Sequence, residues 1–275
     1  MKIYFGDNQF LSVNHSGDKV AMYKDQFKSY LDIANILEHA WETGIRDFAF
    51  TVTPETVKAV NYLSEKCPFN LHPALPYAQY VNTKLTEVGV ISFVMSVIRG
   101  SGFFNIIFSV IMCLFGQRKY IMAIGIRSFL SDLPLKRVSS ISLLNVATDL
   151  FLGARRYEVL NDFCMAVRAI GKDPLFYTMN PVLLMNHLWK GGQNSDVGVV
   201  FNLNEKGFRV NPNLKHVIKI CENFSMNKIF VMSIYSGKGA TDPNVFIKQF
   251  DFVDGVVFGS SNPTRIKSNC KALSD

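Results

Sequence analysis

Val197-Gly-Val-Val-Phe201, Lys228-Ile-Phe-Val-Met232 and Gly255-Val-Val-Phe258 are short apolar runs, and a proline follows each: Pro212, Pro243 and Pro263. Such runs, with no polar residue at alternate positions, read as strands buried on both faces, which is how a parallel sheet covered by helices is built. Proline suits the first turn of a helix, where its missing N–H would have had no partner. The stretch therefore reads as three strand–helix units in succession. The same alternation runs back towards the N-terminus through Leu175–Thr178 with Pro181, Ser140–Leu144 with a helix through Arg155 to Ile170, Phe69–His72, Asp47–Thr51 and Ile3–Phe5. Tyr30 to Thr43 carries apolar residues at helical spacing and stops at Gly44, while Thr53-Pro54-Glu55 has the cap, the proline and the acid of a helix start. Eight such strands in 275 residues predict an α/β fold, a (β/α)8 barrel of the TIM type forming a single domain over 1–275. A doubly wound sheet, the alternative, would carry a glycine-rich turn after its first strand, but that turn is Gly6-Asp7-Asn8-Gln9-Phe10.

The third unit breaks the rhythm. Residues 81–138 are far longer than one barrel helix and are assigned to an apolar helical insertion after strand three. Within it, Val88–Ile98 and the uncharged Phe103–Phe115 flank Arg99-Gly-Ser-Gly102, the pattern of a helical hairpin over 88–115. Neither run reaches the ~20 apolar residues of a bilayer span. Three readings stay open: a hairpin packed on the barrel or closing it as a lid, a homo-oligomer interface (a homodimer), or a membrane-surface contact flanked by Arg118, Lys119 and Arg127.

Composition narrows the function classes. With 48% hydrophobic and 19% charged residues, the chain is not of a disordered kind. The 29 Lys and Arg outnumber the 22 Asp and Glu, giving a net charge of +7, yet they are dispersed and form no recognition signature. No nucleic-acid partner is expected, and a small anionic substrate is. Five cysteines without a Cys-x-x-Cys pair exclude a disulfide framework and the usual zinc spacings, and no metal is expected. Met1 to Asp7 lacks the apolar core of a signal peptide, so a cytoplasmic location is the expectation.

In a barrel the reactive groups come from the loops after the strands. Gln9, Thr51, Thr53 and Asp149 stand there without an assigned role. His72 and His15 are the histidines placed at strand ends, and imidazole titrates near neutral pH, so they are the candidate acid–base groups, with Asp7 or Tyr177 assisting. His39, His187 and His216 fall on outer helices. Asn8, Asn145, Asn180, Asn202, Tyr77 and Arg209 are the candidate substrate contacts. Ser236-Gly237-Lys238 after strand seven and Gly259-Ser260-Ser261-Asn262, with Arg265, after strand eight are the candidate phosphate or cofactor site. Against this stands the plainer reading that Ser261 or Asn262 is an ordinary helix cap. Lys206, beside Glu205, reads as a solvated loop lysine more readily than a Schiff-base former.

From Val199 onward, and above all in Val256-Val-Phe-Gly-Ser-Ser-Asn-Pro-Thr-Arg265, the chain resembles the end of an aldo-keto reductase barrel. The resemblance implies that Ser260, Ser261, Asn262 and Arg265 hold the phosphate side of a nicotinamide cofactor. The family's catalytic Asp, Tyr, Lys and His cannot be placed here as a set: Asp47 begins strand two, no strand-three lysine precedes His72, and no suitably placed tyrosine follows strand two. The leading expectation is an isomerase, epimerase, lyase or aldolase of carbohydrate metabolism, acting by acid–base chemistry on a small phosphorylated or anionic, sugar-like substrate. The alternatives are an NAD(P)H-dependent, aldo-keto-reductase-like oxidoreductase with altered catalytic residues, and a non-catalytic binding or scaffold protein that uses the hairpin.

Overall fold

β1 (Lys2–Gly6), β2 (Asp47–Thr51), β3 (Asn70–Leu75), β4 (Ser140–Leu143), β5 (Asp173–Tyr177), β6 (Gly198–Asn202), β7 (Ile229–Met232) and β8 (Gly255–Phe258) pair in sequence order, all parallel, and β8 returns to β1. The sheet therefore closes into a barrel, as the alternation predicted. The computed structural model describes residues 1–11, 27, 29–75, 106, 108, 111–112, 116–190, 197–224, 228–237 and 242–274. The helices are α1 (Tyr30–Glu42), α2 (Pro54–Tyr62), α3 (Arg118–Phe129), α4 (Asn145–Gly153), α5 (Tyr157–Ala169), α6 (Pro181–Lys190), α7 (Leu214–Glu222), α8 (Pro243–Lys248) and α9 (Pro263–Ser274).

Local chemistry sets the helix starts. Ser29 and Asp32 form a capping box on α1, Thr53 and Thr56 cap α2 reciprocally, and Asp242 caps α8 just before Pro243. Three expectations need correction. β3 does not end at His72 but runs on to Leu75. The single helix expected after β4 is two, because the chain turns between α4 and α5 with Arg155 at φ 54°. Pro212 does not open α7; Asn213 caps it, accepting from the His216 N–H. The hairpin segment 88–115 lies almost wholly outside the described residues, and with it the lid, interface and membrane-surface readings. α3, within the stretch assigned to the insertion, packs against α5 as a barrel helix does. Among the described residues no helix is long and apolar enough to cross a membrane.

Two apolar clusters hold the fold. The larger lies between strands and helices, with Phe5, Phe48, Leu71, Ile141, Phe176, Phe201, Val231 and Val256 on the outer face of the sheet. The smaller fills the barrel: Tyr4, Ala49, Leu175, Val200 and Phe230, with Tyr177, Met232 and Val257 against it. The strand register arranges the inward side chains in layers drawn from alternate strands. Asp47, Ser140, Gly198 and Gly255 lie towards the N-terminal end. Tyr4, His72, Leu175 and Phe230 come next, then Ala49, Ser142, Val200 and Val257. Gly6, Ala74, Tyr177 and Met232 follow, and Thr51, Asn202 and Gly259 line the C-terminal mouth. Gly255 has to be glycine: a Cβ there would come 2.9 Å from the Phe230 ring and 3.0 Å from the Tyr4 ring.

Candidate active site at the barrel mouth

Asp7 follows β1 directly, and its side chain crosses to the end of β2, where Oδ2 accepts a hydrogen bond from the Thr51 backbone N–H at 2.6 Å. The residue is 8% exposed. Burial pushes its carboxyl up from 3.8 to about 6, with the Thr51 hydrogen bonds pulling the other way. Tyr177, the last residue of β5, is half-buried in the layer just beneath the mouth. Burial raises its phenol pKa above the ordinary value, and the Asp7 carboxylate adds to the effect. Tyr177 thus stays protonated near neutrality, while Asp7 can exchange a proton there.

Asn202, the last residue of β6, is 5% exposed. Its Nδ2 donates to the Arg209 carbonyl at 3.2 Å and contacts the Met179 sulfur at 3.3 Å. Its Oδ1 is buried with no donor. Buried side-chain acceptors are nearly always paired, so Asn202 Oδ1 can take one further donor. Asn204, fully buried two residues on, has both ends satisfied by the Phe208 backbone and shapes the loop that holds Arg209.

Other expected contacts are placed less centrally. Asn145 starts α4 and is half-buried, while Asn8 is exposed. Asn180 precedes α6; its N–H donates to Thr178 Oγ1 at 2.8 Å and its Oδ1 accepts from Asn211. Asp149 accepts from Thr178 Oγ1 at 2.5 Å and from the Met179 N–H at 2.8 Å, tying α4 to the exit of β5. Arg209 is exposed, with its guanidinium 5.3 Å from the Phe208 ring centroid. Lys206 is exposed and sits 3.5 Å from Glu205, as a solvated loop lysine does. His15, Tyr77 and Lys238 lie outside the described residues.

The β7 and β8 exits are shaped by protein contacts. Gly237 has φ +95°, and a Cβ there would come 2.9 Å from Cβ of Lys206, so the two loops touch. Ser236 donates its N–H to the Ser233 carbonyl at 2.9 Å. A Cβ on Gly259 would fall 2.1 Å from Gln9 Oε1 and 2.8 Å from the Gly6 carbonyl oxygen. The buried Gln9 side chain, anchored by Nε2 donating to that carbonyl at 2.8 Å, occupies the surface that the glycine opens. Asn262 caps α9 by accepting from the Arg265 N–H at 3.1 Å, and Ser260 Oγ accepts from the Asn262 N–H at 3.1 Å. Ser260 and Ser261 are half-buried there and Arg265 is exposed.

His72 is not at the mouth. Because β3 continues past it, His72 lies deep in the barrel, towards the N-terminal end. Its Nδ1 pairs with Ser140 Oγ at 2.7 Å and its Nε2 with Asp47 Oδ1 at 2.9 Å, while the Tyr4 ring packs edge-on at 4.8 Å. Asn70 Nδ2 donates to the same Asp47 oxygen at 3.3 Å. Ser140 is 3% exposed and His72 8%, so the hydroxyl and the imidazole of this Ser–His–Asp chain are buried and already paired. A cleft of about 330 Å³ lined by Arg127, Leu135, Lys136, Ile170 and Lys172 also lies at this end, far along the barrel from Asp7. Among the described residues no three His, Cys, Asp or Glu side chains converge as metal ligands.

Gln9 was legible as a strand-end residue, but nothing in the sequence told that it fills the β8 exit. No family model and no curated protein matches the chain. Two solved structures, each described as a putative aldo-keto reductase from Pseudomonas aeruginosa, are similar to it. One has a TM-score of 0.60 at 11% identity, covering 99% of this chain and 88% of that one. The other has 0.59 at 12%, covering 98% and 88%. The likeness is one of fold: the chain is a distantly aldo-keto-reductase-like barrel.

Proposed function

We propose that the chain is an enzyme working at its C-terminal mouth, an oxidoreductase of the aldo-keto reductase type in which Asp7 takes the proton-transfer role. The observation that carries this reading is the buried Asp7 carboxyl, brought to about 6, whose charge also raises the pKa of the Tyr177 phenol. A general acid is most effective when its pKa lies near the working pH. Oδ2 is engaged by Thr51, so Oδ1 would deliver the proton to a carbonyl oxygen, with Tyr177 hydrogen-bonding the same substrate. The unpaired Asn202 Oδ1 suits the carboxamide N–H of a nicotinamide, and Ser260, Ser261 and Arg265 would meet its phosphates beside α9. Reduced nicotinamide supplies a hydride when bound.

A second reading is a cofactor-free isomerisation, epimerisation or aldol cleavage on a small sugar-like substrate, with Asp7 as acid and base. It is favoured by Gln9, which fills the surface at Gly259 where a phosphate would approach the backbone. The test is a fluorescence titration with NADPH and NADH beside a thermal-shift series with sugars and sugar phosphates. The reductase reading predicts saturable nicotinamide binding, weakened at least tenfold by Asn202→Ala. Stabilisation by sugars or sugar phosphates with no nicotinamide binding would replace it by the second reading.

A further inference from the structure

We infer that Thr51 is a positioning residue: by holding one carboxylate oxygen of Asp7 from the end of the neighbouring strand, it leaves the other oxygen to exchange a proton with substrate. The inference rests on the proton-transfer role proposed for Asp7. It begins with the register, in which Gly6 of β1 pairs with Ala49 of β2. That places Asp7, one residue past β1, beside the last residue of β2. The Thr51 peptide N–H then meets Asp7 Oδ2 at 2.6 Å, and the Thr51 side chain also acts to lower the pKa of that carboxyl.

Thr51 is itself fixed. Its carbonyl accepts from Thr56 Oγ1 at 2.9 Å, and the Thr56 hydroxyl belongs to the capping box that starts α2. The next peptide, Val52, donates to the Ala74 carbonyl of β3 at 3.1 Å. On the other side the Asp7 carbonyl accepts from the Phe10 N–H at 2.8 Å and the Leu11 N–H at 3.3 Å, so the turn bearing Asp7 is also pinned. The carboxyl is thus located from both its backbone and its side chain, which the near-attack geometry of proton transfer requires.

Among the described residues, Thr51 and Asp7's own backbone act on the Asp7 carboxyl, no cation is among the causes of its shift, and the Asp7 charge in turn raises the Tyr177 pKa. Hydrogen bonds from Thr51, together with one from the backbone of Asp7 itself, support the ionised form against burial. A donor to the charged form favours it. Removing the Thr51 hydroxyl while keeping its peptide N–H therefore makes Asp7 harder to ionise, without opening a cavity.

The experiment follows the Asp7 carboxyl by 13C NMR across pH, assigned with Asp7→Asn, in wild type, Thr51→Val and Thr51→Ser, all without substrate. The midpoint should rise by about half a pH unit in Thr51→Val and return in Thr51→Ser. The acid limb of the turnover profile should move with it. An unchanged midpoint in Thr51→Val overturns the inference, whatever reaction the protein catalyses. If Thr51→Val does not fold, Thr51→Ala makes the same comparison. If the midpoint moves but turnover is indifferent to Asp7→Asn, the contact stands while the proton-transfer reading and its use of Thr51 fall.

Discussion

The two ends of the barrel interior use similar side chains in opposite ways. At the N-terminal end a carboxylate, an imidazole and a hydroxyl complete one another: Asp47, His72 and Ser140 form one hydrogen-bonded chain at 2.9 and 2.7 Å. At the C-terminal end Asp7 has one oxygen held by Thr51, and Asn202 keeps a buried oxygen without a donor. A buried polar cluster that satisfies itself stabilises and orders its surroundings, whereas one left incomplete costs stability that evolution retains for a ligand. By that criterion the paired Ser–His–Asp chain reads as scaffold, and the open groups around Asp7 are the ones the proposed function draws on.

Breaking the closed end should have the largest effect on folding. His72→Ala strands the Ser140 hydroxyl and the Asp47 carboxylate and should cost about 2–4 kcal/mol in urea unfolding. It should leave ligand affinity at the mouth unchanged at temperatures where the variant is folded. A stable His72→Ala protein with lost turnover would reverse the assignment of the two ends.

The open end predicts an effect of opposite sign. Folding raises the Asp7 carboxyl from 3.8 to about 6, so the folded state favours its protonated form. That contribution to stability is complete below about pH 4 and is lost as the pH rises through 6. Asp7→Asn removes the ionisable group and should be more stable than wild type at pH 7.5, by on the order of 2–3 kcal/mol, with the advantage fading towards pH 4. Unfolding midpoints at the two pH values measure it. An Asp7→Asn protein less stable at pH 7.5 would mean the carboxylate is satisfied after all.

The smallest effect sharpens the boundary of the site. Gly259→Ala forces a Cβ against Gln9 and the Gly6 carbonyl and should cost about 1–2 kcal/mol. Adding Gln9→Ala should recover part of that loss, since one of the two obstacles is then gone. Full additivity of the two substitutions in a thermal melt would show that the residues do not meet.

The barrel was legible because its strands are continuous apolar runs and its helices carry their own start signals. β2 and β8 fall on the residues read from sequence, and Thr53 with Pro54 starts α2 as expected. His72 was misplaced for a physical reason: Pro73 reads as a strand stop, yet it sits within β3 opposite Phe50. Its partners, Asp47 and Ser140, are distant in sequence, and only the register of neighbouring strands brings them to it. The positions of Asp7, Tyr177 and Asn202 at or just beneath the barrel mouth were legible because they end their strands or directly follow one. That Gln9 fills the face of Gly259 depends on side-chain packing, which no spacing encodes.

The most direct test of the account is turnover of aldehydes and ketones with NADPH, compared between wild type, Asp7→Asn and His72→Gln, each first shown to be folded by its thermal melt. The account predicts a loss on the order of 10²–10⁴-fold in Asp7→Asn and near-wild-type turnover in His72→Gln. Undiminished turnover in Asp7→Asn, or a collapse confined to His72→Gln, would contradict it.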